Sequence, residues 1–153
     1  MTNSTDCIES RVTVRAPRSR VWQALANAEE FGKWFGVDLS EQQFIAGASV
    51  AGHITHPGYE HLTWRVSIER IEPERLLSWR WHPGAIDVGA DYSKEPTTLV
   101  AFELKEVPGG TLLSVTESGF DRLPIERRAQ AFRLNEGGWT QQMVNIDKYV
   151  AEQ

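Results

Sequence analysis

The sequence predicts an α+β domain in which a curved antiparallel sheet is wrapped around one long C-terminal helix. Three observations lead there. Beyond Asp121 the pattern is helical: Phe132, Trp139, Met143, Ile146 and Val150 recur at three- and four-residue steps and form one inward stripe. Ahead of it, segment after segment alternates apolar and polar residues with the period of a half-buried strand. Turn residues, among them Pro57-Gly58 and Gly109-Gly110, punctuate those segments. The helical pattern also holds Asn135-Glu136-Gly137-Gly138-Trp139. Each helix glycine costs about 1 kcal/mol relative to alanine, so the pair is expected to serve close backbone approach or a bend.

In chain order, the alternation over residues 8–14 predicts a first strand. Pro17 suits the first turn of a helix whose stripe is Val21, Trp22, Leu25 and Ala26. A second short helix is expected over residues 29–34, ended by Gly36. Strands are expected over residues 37–45 and 48–55, and a turn at 57–60 joins the latter to a strand over 61–71. In that strand Leu62, Trp64, Val66 and Ile68 share one face. Leu77, Trp79 and Trp81 mark the next strand, then Val100, Phe102 and Leu104, then Leu113 and Val115. The expected sheet therefore has six to seven strands, with two short helices after the first. Residues 83–96 have no clear period, and a loop of that length is either a lid or binding loop or a plain surface excursion.

Composition narrows the function classes. A chain of 153 residues with 41% hydrophobic and 24% charged content reads as a single domain over 1–153. Its net charge of -5 argues against nucleic acid as a partner. No apolar run has membrane-spanning length and the first residues lack a signal-peptide core, so a cytoplasmic protein without membrane attachment is expected. The lone Cys7 cannot form an internal disulfide. His53, His56, His61 and His82 do not present three convergent ligands at strand spacing, so no metal is expected. No G-x-G-x-x-G joins a strand to a helix, and no cofactor is expected. The six tryptophans point to bulky aromatic walls around a core or cavity.

Several segments carry a family resemblance: Val14-Arg15-Ala16-Pro17, Phe31-Gly32-Lys33-Trp34-Phe35, Ile71-Glu72-Pro73-Glu74-Arg75-Leu76-Leu77, Thr116-Glu117-Ser118-Gly119-Phe120 and Asn135-Glu136-Gly137-Gly138-Trp139. In order and content they resemble the START/Bet v 1-like (SRPBCC) superfamily. The nearer branch is the one related to the C-terminal domain of the activator of Hsp90 ATPase. The resemblance implies a helix-grip fold with a cavity between sheet and C-terminal helix, which in many relatives takes hydrophobic or amphipathic small molecules. One fold hosts many activities, so the function does not follow from it alone. Association with Hsp90 is not expected, because the resemblance covers one domain of that activator. Monomer and homodimer both remain open.

The candidate site residues are Trp64, Trp79, Trp81, Tyr92, Phe102, Glu117 and Trp139, expected to surround a small hydrophobic or aromatic ligand. Glu117 has two open placements. Strand parity puts it on the inward face, where a carboxylate must be hydrogen-bonded, paired or protonated. The adjoining Ser118-Gly119 instead suits a strand end that faces water. In a cavity Glu117 orients a polar ligand group, or serves as the acid or base of a cofactor-independent cyclase, hydrolase or isomerase. Arg127, Arg128, Arg133, Glu126 and Glu136 are expected on a solvated helix face, or less simply on a protein-interaction surface.

Overall fold

The computed structural model describes residues 5–83 and 91–152. The alternating segments form six strands: β1 (Cys7–Val14), β2 (Ser49–His53), β3 (Thr63–Glu72), β4 (Leu76–Trp81), β5 (Thr98–Val107) and β6 (Gly110–Ser118). They make one antiparallel sheet in the order β1-β6-β5-β4-β3-β2. Two short helices, α1 (Arg18–Ala26) and α2 (Ala28–Phe35), follow the first strand, and α3 (Ile125–Ala151) closes the concave face. This is the helix-grip architecture.

Local chemistry explains the helix ends. The Asn27 side chain accepts a hydrogen bond from the Glu30 amide and caps α2, while Gly36, at φ 98°, ends it in the left-handed region. Side-chain parity then sets the core. Ile68, Trp79, Val100, Glu117 and Ile8 lie in register across β3, β4, β5, β6 and β1, so one carboxylate stands in an otherwise apolar row. Leu77, Phe102 and Val115 form the next row. Between Ile68 and Arg70 the register shifts, the kind of irregularity that bends a strand and deepens the sheet's concavity. From α3, Ala131, Trp139, Met143, Ile146 and Val150 are buried against these rows.

The expected strand over residues 37–45 does not form. Within it only Val37 makes a bridge, to Ile54, and the described residues give the sheet six strands. The Asp38 carboxylate accepts hydrogen bonds from the amide and hydroxyl of Ser40, which turns the chain away from an extended path. The segment instead runs beside β2. Asp38 donates its amide to the His53 carbonyl at 3.0 Å, and the Gln42 side-chain amide donates to the Ala51 carbonyl while accepting from the Ala51 amide. Gln42 thus occupies backbone groups that an edge strand would leave open. The connection from β2 to β3 is also longer than the expected turn, spanning residues 54–62.

Glycines separate into two kinds. A Cβ added at Gly52 would stand 2.1 Å from the Asp38 carbonyl oxygen, so this position needs a hydrogen there. At Gly137 and Gly138 no atom of the described residues outside the local helix backbone lies within 4 Å of the corresponding point, which overturns the expectation that the pair lets α3 approach the sheet closely. Opposite outcomes are expected in thermal melts. Gly52→Ala should lose ~1–3 kcal/mol through forced backbone displacement. Gly137→Ala should gain ~0.4–1 kcal/mol, because alanine restricts the unfolded chain and favours helix. A stabilised Gly52→Ala would contradict the packing of residues 37–42 on β2.

Candidate functional site

β6 continues as strand through Ser118, which settles the placement of Glu117: its side chain points inward and is fully buried. Four side chains donate to the carboxylate. Trp139 Nε1 reaches Oε1 at 2.8 Å; Trp81 Nε1 and the Thr98 hydroxyl reach Oε2 at 2.7 and 2.5 Å. Asn135 Nδ2 lies 2.9 and 3.1 Å from the two oxygens. One side chain therefore binds β4, β5, β6 and α3 together. Burial of a carboxylate is costly unless its lone pairs are filled, and here both oxygens accept from donors placed on rigid elements.

Aromatic rings fill the space beside this network. Trp79 is fully buried and contacts Phe31, Trp64, Trp81, Phe102 and Trp139 at centroid separations of 5.2–6.4 Å. Edge-to-face geometry dominates several of these pairs, as ring quadrupoles favour. Among the described residues the buried indole N–H groups of Trp64 and Trp79 have no hydrogen-bond partner, and their rings meet at 83°, the arrangement in which an N–H can find a π face.

Open space begins where this packing stops. A cleft of about 410 Å³ lies between β3, β4 and α3, walled by Phe35, Ile54, Leu62, Trp64, Tyr92 and Leu134, with Trp81 and Asn135 beside them and the polar Thr63, Arg65 and His82 along its rim. It continues along α3 past Tyr59, Gly138 and Trp139 to Gln142. Trp81 and Asn135 thus face two ways: they line the cleft, and each donates to Glu117 beneath it.

Of the candidates, Trp64, Trp81 and Tyr92 meet on the first cleft and Trp139 on its extension. Glu117 lies one side chain deeper. Trp79 and Phe102 are fully buried behind it among other rings. Phe35, Ile54, Leu62 and Asn135 were not among the candidates. Asn135 had a signal: it lies four residues before Trp139 and four after Ala131, in the buried stripe, where a polar residue is out of place.

The centre of the 83–96 loop, residues 84–90, lies outside the described residues, and with it the question of a lid. The loop's two ends are held by Arg127. Its guanidinium donates to the Pro83 carbonyl at 2.8 Å, pairs with Glu95 at 2.8 Å, and lies 4.6 Å from the Tyr92 ring centroid. Arg128 donates to the Asp121 and Leu123 carbonyls. These two arginines are half-buried and bonded to the fold, which corrects the expectation of a wholly solvated face.

Among the described residues no group of three or more His, Cys, Asp and Glu is placed to hold a metal. His53, His56 and His61 are exposed, and His82 bonds the Glu95 carbonyl. Burial, then the Asp6 and Glu9 carboxylates, push the Cys7 thiol up, away from a reactive thiolate. Among the described residues no helix is long and apolar enough to cross a membrane.

A sheet gripping a long helix, with a cleft at their junction, defines the helix-grip class of proteins. The chain belongs to the family described as Activator of Hsp90 ATPase homolog 1-like protein, which matches residues 15–151. Solved structures share the fold. A Mesorhizobium loti protein superimposes with a TM-score of 0.74 at 19% identity, covering 96% of this chain and 98% of its own. An Arthrobacter aurescens protein gives 0.79 at 17% identity, covering 99% and 91%. DynU16, from the dynemicin biosynthetic locus, gives 0.71 at 22% identity and covers 95% of this chain but 47% of its own. No curated protein matches.

Proposed function

We propose that the protein binds a small hydrophobic or aromatic molecule in the cleft between β3, β4 and α3. The observation that carries this reading is the junction at Trp81: a cleft of about 410 Å³, walled largely by aromatic and aliphatic side chains, is lined by an indole whose N–H is fixed on a buried carboxylate. That volume lies within the range of small-molecule sites. A bare core would not need a carboxyl group to orient a half-buried ring. Because Glu117 already accepts from four side chains and lies beneath the cleft, its role here is to position Trp81, Asn135 and Trp139 rather than to transfer a proton. The family's helix-grip fold supports a ligand-binding role.

A solvatochromic naphthalene dye should bind the folded protein saturably, near one equivalent, and quench tryptophan emission. Trp81→Ala should weaken that binding by about tenfold or more, since a well-packed aromatic contact is worth ~1.5–3 kcal/mol. Unsaturable binding, or equal affinity in the variant, would count against the cleft. On this reading the isolated chain does not stimulate Hsp90 ATPase, and stoichiometric stimulation would favour a protein-interaction role.

A further inference from the structure

We propose that Asn135 is a specificity-determining residue of this cleft, and that the bound molecule is an aromatic or apolar compound carrying a hydroxyl or N–H donor. The inference rests on the ligand-cleft reading above. A side-chain amide has a donor end and an acceptor end, and here chemistry decides which faces where. Glu117 offers only acceptor atoms, and both lie within 3.1 Å of Asn135 Nδ2. The reverse orientation would set the amide oxygen against two carboxylate oxygens. Oδ1 is therefore the end left over, on a half-buried residue that lines both parts of the cleft, and no described residue donates to it.

The other amide in the cleft is already committed at both ends. Gln142 donates to the Phe35 carbonyl at 2.9 Å and accepts from Asn145 at 2.9 Å. Asn135 differs in keeping an acceptor in reserve. Its amide is also polarised: donating to a buried carboxylate pulls charge toward Oδ1 and makes it a stronger acceptor. The Trp81 indole donates to the same carboxylate, which enriches its ring face. A ring lying on Trp81 with a donor toward Asn135 would match both features. An isostere that offers only an ether oxygen would cover Oδ1 and leave it without a partner.

The test compares 1-naphthol with 1-methoxynaphthalene by isothermal titration on the full chain. The expected result is naphthol binding about 3- to 10-fold tighter, the worth of one net hydrogen bond. In Asn135→Leu the ratio should fall to about one. In nitrogen-15 spectra of the unmutated protein, the Asn135 side-chain amide signals should shift with naphthol more than with the ether; this readout holds even where the leucine variant does not fold. Equal affinity of the two probes overturns the role of Asn135 while leaving the cleft standing. A preference that survives Asn135→Leu overturns it as well. Binding of neither probe overturns the cleft reading itself.

Discussion

Glu117→Leu is expected to destabilise the protein by about 3–5 kcal/mol, read as a lower urea midpoint with an unchanged slope. The loss does not come from the carboxylate, whose burial is unfavourable in itself. It comes from what is left behind: two indole N–H groups, one amide and one hydroxyl, all aimed at the same vacated point. Thr98 and Trp139 are buried and cannot turn to water. A carboxylate on the outer face gives the comparison. Glu103→Leu, on an exposed position of β5, should stay within ~0.5 kcal/mol of the parent. A Glu117→Leu loss below 1 kcal/mol would mean that the network adds little to the fold.

Trp139→Ala should cost ~3–5 kcal/mol, because it empties a buried indole site between Trp79, Trp81 and Phe102. Trp139→Phe separates the two contributions of that side chain. It keeps most of the ring and removes the N–H, so ~1–3 kcal/mol should disappear in the parent. In a Glu117→Leu background the same change should cost much less, since the acceptor is already gone. A double-mutant cycle built from these four proteins measures the coupling, and a coupling near zero would break the argument for the carboxylate as an organiser.

Much of the fold was legible because its signals are local and periodic. Strand parity placed Trp64, Val66 and Ile68 on one face, whereas the same parity left Glu117 open until β6 was seen to run through Ser118. The helix stripe from Trp139 to Val150 was equally readable. Residues 37–45 were not, because the hydrogen bonds that the Ser40 amide and hydroxyl donate to the Asp38 carboxylate outweigh their apolar content. Close approach of the glycine pair to the sheet was misread for a related reason: sequence shows a helix penalty but not which described residues lie around it. At the site, aromatic residues were recognisable as a class. Which of them pack together and which border open space depends on long-range contacts, so Trp79 and Trp81, two residues apart, could not be told apart. Asn135 was readable as a polar residue in an apolar stripe, but its partner, 18 positions earlier, was not.

Gln42 has a consequence for how the molecule fails. β2 is the outermost strand on its side of the sheet, and an extended chain from another molecule would dock there by continuing the hydrogen-bond ladder. The Gln42 amide already fills the rung at Ala51, and Asp38 takes the one at His53. A neighbour must therefore evict residues 37–42 before it can add a strand. Heating or mild denaturant that loosens this short segment, with the rest of the sheet intact, would turn a covered edge into a template, so self-association should begin before global unfolding and at this margin.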